Sequence, residues 1–525
     1  MKMSKVMSGC ACCRFDRRRF LAAGCAACVG AASLALPARP ARAARASDKL
    51  RLRIIYAKHA DTNAQPDWPN IGFDFDPVMK RIEAQFRQQC PDFEFVTSTA
   101  TGAEEAKAII DADQAGNNID GYIVYQLNCW NQVAQTAVAS GKPVLYADFQ
   151  YGGSGGFLVY TAGFLRAGAP NVGFVASSRM EDQVAAVKCF AALRDGGSIQ
   201  DFVDATKQAR LQRTGEPDAT ACKPDNLVTL TPEECLRRMK ESRIVEVEKG
   251  WGDLGPMIKQ EMGIDVVSVK FAELNAAWEA ADKDQCREIA DRWEKTAEKI
   301  EAVSRATLET SAAMYLAERA ILKKYDANAI TINCLGGFYG NHIHAYPCLG
   351  FHELCNEGLV GGCECDVRSA ATMVMLTALT QGRPGFISDP VIDTAKRQVI
   401  YAHCVASNRA FGPEGEVNPF QILTHSEDRM GAAVRSLFPL GYMTTTIEVA
   451  PERKEILFHQ GKAVENVIDD RACRTKLAVD PVGDLEKLFT EWDRWGWHRV
   501  TCFGDLKEPI FALADALGWK VTLEA

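Results

Sequence analysis

From Leu50 onward, short apolar runs alternate with amphipathic segments, and this alternation confines the chain to an α/β architecture built on parallel sheets. Leu52 to Tyr56, Phe93 to Val96, Gly121 to Tyr125 and Pro143 to Tyr146 have strand character. Between them Pro77 to Gln89, Ala103 to Asp113 and Trp130 to Ser140 carry helical periodicity, the first opened by a proline in its first turn. A second unit of the same kind is expected to begin at Asn171-Val172-Gly173-Phe174-Val175, with a helix over Glu181 to Leu193 and a strand over Val266 to Lys270. Residues 272–324 hold neither Pro nor Gly, which predicts an almost unbroken helical stretch with a solvated charged face. Beyond Glu357, strand-like runs at 397–405, 434–449 and 454–458 lie between loops bearing Gly and Pro. The expected fold class is therefore α/β: two successive doubly wound α/β domains, over 48–168 and 169–355, then a mixed α+β domain rich in β structure over 356–525.

Residues 1–46 have the character of an address. Asp16-Arg17-Arg18-Arg19-Phe20-Leu21 stands before an uncharged run from Ala22 to Leu36, the pattern of a twin-arginine export signal. That run falls short of the roughly 20 residues that span a bilayer. Small residues at Ala41, Ala43, Ala44 and Ala46 suit a signal peptidase, so the expected location is the periplasm or beyond, with the twin-arginine machinery as a partner. Proteins on that route fold before they cross, which favours a cofactor or metal loaded beforehand. Acidic residues (68) outnumber basic ones (60), and the positive charge concentrates in the leader, so nucleic acid is not an expected partner. The 19 cysteines are scattered over a chain that is 47% hydrophobic, so disulfides remain open but the fold does not depend on them.

The densest polar constellation lies between Cys334 and His403. Gly361-Gly362-Cys363-Glu364-Cys365-Asp366 is expected to put a carboxylate at a strand end, ahead of a helix from Val367 to Leu379. Sites in α/β proteins gather at such positions. Asp389 is expected to end the strand Gly385 to Ser388, with Pro390 fixing the turn, and His403 to close Gln398 to Ala402. Near the C-terminus, Trp497-His498 precedes a further strand and supplies another imidazole. Hard carboxylate oxygens with one imidazole suit Mn²⁺ or Mg²⁺.

Gly-Gly-Cys-Glu364-Cys-Asp366-Val, then Ile-Ser-Asp389, Ala-His403-Cys404 and the late His498, resembles the C-terminal half of the L-fucose isomerase and L-arabinose isomerase superfamily. The resemblance is clearest over residues 330–505 and compatible over 50–330, where that family has two successive α/β domains. There a glutamate in a Glu-x-Asp context, an acidic residue about 25 positions on and a late histidine hold a divalent metal; here Asp389 follows Glu364 by 25 positions. The resemblance implies an intramolecular oxidoreductase, an aldose-ketose sugar isomerase acting through an enediol. Mn²⁺, or another divalent metal such as Mg²⁺, would be held by Glu364, Asp389 and His498, with Glu364 and Asp389 also serving as catalytic acid/base groups. His403 would be a fourth ligand or a substrate contact, and Trp497 a substrate contact. The family further implies a homo-oligomer and a small-molecule sugar substrate.

Other readings compete. The alternative, second to the isomerase, is an exported carbohydrate-binding protein that keeps the isomerase fold without turnover. Asp366 is expected to serve as the N-cap of the helix that follows it. Cys363 and Cys365, with Cys404, carry a soft-metal or redox alternative. His342, His344 and His352 are expected to be hydrogen-bonded loop residues. Gly152-Gly153-Ser154-Gly155-Gly156 lacks the Gly-Lys-Ser/Thr ending of a phosphate loop and is expected to be a flexible loop or lid.

Overall fold

All six residues from Gly121 to Gln126 are buried, as the central strand of a parallel sheet covered on both faces requires. The computed structural model describes residues 49–62, 67–250 and 252–525. The leader segment 1–46, with its twin-arginine pattern, lies outside the described residues. Strands β1 (Leu50–Ala57), β2 (Phe93–Ala100), β3 (Gly121–Gln126), β4 (Val144–Asp148) and β5 (Val172–Val175) form a parallel sheet in the order β2-β1-β3-β4-β5. Alternation along β1 and β3 sorts their side chains onto two cores. Ile55, Ala57, Tyr122 and Val124 meet the helices Ala103–Gly116, Val133–Ala139 and Ser154–Ala167 on one face. Leu52, Ile54, Tyr56, Ile123 and Tyr125 meet the helices Asp76–Gln89 and Met180–Lys188 on the other.

A second parallel sheet, in the order β10-β9-β6-β7, joins β6 (Arg243–Val247), β7 (Asp265–Val269), β9 (Ala329–Ile332) and β10 (Val360–Gly362). Beyond it the chain turns antiparallel. The strands β11 (Phe386–Asp393), β12 (Gln398–His403), β15 (Met443–Ala450), β16 (Glu455–Asn466), β17 (Thr475–Pro481) and β18 (Arg499–Phe503) pair in the cycle β15-β18-β11-β12-β17-β16. Pairing of β15 with β16 closes the cycle into a barrel, and β19 (Lys520–Leu523) adds parallel to β16. A small sheet of β8 (Lys299–Glu301), β13 (Phe420–Leu423) and β14 (Ala433–Ser436) lies outside the barrel cycle. The architecture is thus α/β in two parallel sheets followed by β-rich structure, as the alternation and its change of texture predict.

Four local expectations are corrected. Val172–Val175 does not open a second unit; it is the fifth strand of the first sheet, paired with β4. The stretch 272–324 holds three helices, Phe271–Glu279, Lys283–Thr296 and Arg305–Lys324, with the short strand β8 between the last two, and Asp282 and Ser304 cap the second and third helices with their side chains. Gly152-Gly153 is no flexible loop: the segment packs over the end of β3 and starts the helix Ser154–Ala167, and a Cβ at Gly153 would stand 2.0 Å from the Gln126 carbonyl oxygen. Asp389 does not end a strand. β11 runs through Asp389-Pro390 to Asp393, and proline is tolerated because the pairing with β18 stops at Ser388.

Glu318, inside the helix Arg305–Lys324, is fully buried, and neither carboxyl oxygen has a hydrogen-bond partner among the described residues. Burial raises its pKa well above 4.5. The folded protein therefore holds a proton there that the unfolded chain releases, so this stabilisation is complete below the unfolded pKa and is lost as the pH rises toward the folded value. Glu318→Gln is expected to flatten the fall in thermal midpoint between about pH 5 and 7, measured by calorimetry.

Candidate metal centre

Glu364 stands two residues beyond β10, in a turn where Glu364 and Cys365 both take left-handed backbone angles, φ 61° and 51°. Such conformations cost about 1–3 kcal/mol each and persist only where the surroundings impose them. Here the Cys365 thiol donates to the Glu248 carbonyl at 2.9 Å, and Thr331 Oγ1 donates to the Cys363 carbonyl at 3.5 Å. The neighbouring chain comes so close that a Cβ at Gly250 would lie 2.3 Å from the Cys365 carbonyl oxygen. Asp366 ends the turn as the N-cap of the helix Val367–Leu379, accepting the Ser369 N–H at 3.1 Å. The turn thereby aims Glu364 at the barrel mouth.

Three adjacent barrel strands supply the rest. Asp389 sits within β11, His403 is the last residue of β12, and His498 immediately precedes β18, whose Arg499 pairs with Ser388. One potential ligand atom from each of Glu364, Asp389, His403 and His498 lies within 4.8 Å of all the others. His498 Nε2 is 3.4 Å from Asp389 Oδ1 and 3.7 Å from Glu364 Oε2; His403 Nε2 is 3.8 Å from Glu364 Oε1. Trp497 donates its indole N–H to His498 Nε2 at 3.1 Å, and its ring lies 5.2 Å from that of Trp130 on the first sheet's side.

The electrostatics call for a cation. Burial, reinforced by Asp389 and Asp366 against the relief from His498, pushes the Glu364 carboxyl up to about 7. Burial opposes charge on His498 as well, but its contacts with Asp366 and Asp389 and the charge of Glu364 outweigh it and raise the imidazole well above 6.5. Carboxylates that stabilise a proton on this ring stabilise a metal ion in its place. The donor set fits such an ion: two carboxylates, and an imidazole whose Nδ1 faces Asp366 Oδ2 at 2.9 Å. With the proton on Nδ1, Nε2 is the acceptor that the Trp497 N–H meets and that a metal ion would engage in its place, the carboxylate-histidine arrangement common behind metal centres.

His403 is arranged differently. Burial lowers its pKa to about 4, so the ring is neutral, and Nδ1 accepts the Cys404 N–H at 2.9 Å. The remaining proton then sits on Nε2, which is buried with no hydrogen-bond partner among the described residues. A donor so placed matches a substrate oxygen better than a metal, which favours substrate contact over fourth ligand.

Asp366 is both cap and orienter of His498, a pairing across 132 positions that the sequence did not disclose. Burial disfavours its charge, but the His498 contact and the helix N-terminus hold it at about 2. Asp366→Asn keeps a good N-cap but not the charge, and is expected to weaken divalent-metal affinity about 10–100-fold in titration calorimetry while leaving the thermal midpoint nearly unchanged. The soft-metal alternative loses its geometry: Cys365 turns to Glu248, Cys363 lies against Cys334 at 3.2 Å, and Cys404 faces Ser426 at 3.6 Å. His352 is not in a loop but in the helix Cys348–Asn356, bonded to the Ala406 carbonyl and Asn356; His342 stacks on Phe271, and His344 faces Glu279. Trp492 and Trp495 are buried packing.

No family model matches the chain. A curated sulfoquinovose isomerase of Clostridium sp. (strain MSTE9) is 23% identical over 295 residues, which cover 54% of this chain and 64% of that protein. Another, from Priestia megaterium (strain ATCC 12872 / QMB1551), is 24% identical over 203 residues, 37% of this chain and 44% of that protein. The chain thus spans less than two thirds of the length of these relatives. Among solved structures, an ABC transporter solute binding protein from Bacillus halodurans C-125 with bound myo-inositol matches 63% of this chain and 90% of its own at 12% identity, with a TM-score of 0.18, too low to carry an argument. The curated relatives are sugar isomerases of the L-fucose/L-arabinose isomerase-like superfamily, the same superfamily whose motifs the chain resembles at Glu364, Asp389 and His498.

Proposed function

We propose that the protein is a metal-dependent aldose-ketose sugar isomerase, exported in folded form by the twin-arginine route. The observation that carries this reading is the convergence of Glu364, Asp389, His403 and His498 at the barrel mouth. Its curated relatives, sugar isomerases by name, support the same reaction class.

Interconverting an aldose and a ketose moves a proton between C2 and C1 through an enediol whose two oxygens gain negative charge. Glu364, Asp389 and His498 would hold Mn²⁺ or another divalent ion such as Mg²⁺, which when bound supplies a Lewis acid for that charge. The Glu364 and Asp389 carboxyls take the proton from one carbon and return it to the other. His403 donates its buried Nε2–H to a sugar oxygen. Asp366 keeps His498 in the tautomer that faces the site.

The test is exchange of the C2 proton with solvent deuterium, followed by NMR, in mature protein loaded with Mn²⁺ and offered pentoses, hexoses, 6-deoxyhexoses and sulfoquinovose, the sugar in the relatives' name. Exchange with at least one sugar is expected. Tight sugar binding without exchange in metal-replete protein would instead make it a carbohydrate-binding protein. Export is tested separately by replacing Arg17 and Arg18 with lysine, which is expected to retain the protein in the cytoplasm.

A further inference from the structure

Glu427 lies on the loop between β13 and β14, almost wholly buried, and takes no part in the ligand set. Three anchors fix it. Its carbonyl accepts the Ile71 N–H at 2.7 Å, its Oε2 accepts the Tyr339 hydroxyl at 3.3 Å, and Arg474 grips the start of the loop through the Thr424 carbonyl at 2.8 Å. Arg429 at the other end donates to Asn70 at 3.0 Å. The segment that makes these bonds includes Asp67, which accepts Asn128 at 2.9 Å and faces His59 at 3.1 Å, at the C-terminal edge of the first sheet. Next to Glu427, Ser426 meets the Cys404 thiol at 3.6 Å, and Cys404 directly follows the site residue His403. The loop that carries Glu427 is therefore held between the strand end that bears His403 and the loops of the first sheet.

We propose that Glu427 is a further substrate-binding residue, its carboxyl hydrogen-bonding a hydroxyl of the sugar held at the Glu364, Asp389 and His498 centre, with Tyr339 as the positioning residue that fixes its orientation. The proposal rests on the isomerase reading and adds a substrate determinant to it. Burial first, then Glu364, Cys404, Asp389 and Asp67, raise the Glu427 pKa well above 4.5. A carboxyl oxygen accepts from a hydroxyl in either protonation state, which is what a sugar hydroxyl needs. A sugar lacking that hydroxyl would leave the buried carboxyl unpaired and be rejected for it.

Glu427→Leu, Glu427→Gln and Tyr339→Phe, in otherwise full mature chain, separate this role from a structural one. The readouts are Mn²⁺ affinity by calorimetry, sugar affinity of the Mn²⁺-loaded protein, and KM against kcat for C2 exchange. Glu427→Leu is expected to weaken sugar binding and raise KM at least about tenfold with Mn²⁺ affinity within about threefold of the parent. Glu427→Gln, which keeps an acceptor oxygen, is expected to recover most of that loss, and Tyr339→Phe to fall between them. Unchanged sugar affinity and KM in Glu427→Leu would overturn the proposal, as would a parallel loss of Mn²⁺ binding. A parent protein that binds sugar through Glu427 yet exchanges no proton would remove the isomerase reading and leave this contact standing. A parent that binds no sugar removes both.

Discussion

Glu364→Gln is expected to abolish C2 proton exchange, by about a thousandfold or more, while the circular dichroism spectrum and thermal midpoint stay near those of the parent. The substitution is nearly isosteric, and the left-handed turn at residues 364 and 365 is imposed by contacts of Cys363, Cys365 and Asp366 that do not involve the Glu364 carboxyl. What is lost is a carboxylate facing His498 at 3.7 Å and an acid/base group. Metal affinity should fall with it, since one of two hard anionic ligands becomes a neutral amide. The fold should gain slightly if anything, because a carboxyl crowded by Asp389 and Asp366 is removed.

The largest stability effect is expected at the neighbouring residue. Arg499 and Glu524 are both fully buried and joined at 2.8 Å; Glu524 also meets His459 Nδ1 at 2.9 Å, and the guanidinium lies 3.6 Å from the centre of the Trp492 ring. Arg499 also donates to the Gly496 and His498 carbonyls, at 2.9 and 2.8 Å, which ties the ion pair to the turn that presents His498. Removing one partner strands the other charge in the interior, so Arg499→Ala is expected to cost about 3–5 kcal/mol in urea denaturation at neutral pH. It should also weaken metal binding. Burial works against the Glu524 charge, but Arg499 and His459 outweigh it and hold the carboxyl at about 2. Its folded pKa is depressed, so the contribution is fully present above the unfolded value near 4.5 and is lost only as the pH falls toward 2. The penalty of Arg499→Ala should accordingly shrink on acidification.

Local pattern carried much of this architecture, and long-range pairing carried the rest. The apolar run Gly121 to Tyr125 could only be a covered parallel strand, and the residue types at 364, 389, 403 and 498 already had the hardness and spacing of a metal centre. The sequence could not disclose that β15 returns to β16 and closes a barrel, because either hairpin alone looks like part of an open sheet. Pro390 suggested a turn after Asp389, yet one edge of β11 is free of β18 there and the strand continues. Asp282 and Ser304 were legible as caps in principle, but the absence of Pro and Gly across 272–324 masked them. The pairings of Asp366 with His498 and of Glu427 with Tyr339 escaped for a common reason: each joins residues far apart in sequence.

The most direct test of the metal centre is an anomalous difference map from crystals of the protein loaded with Mn²⁺. The expected result is one strong peak coordinated by Glu364, Asp389 and His498, with His403 directed at it only through a bound oxygen. A peak held by Cys363 or Cys365, or metal-replete crystals with no peak among these three side chains, would contradict it.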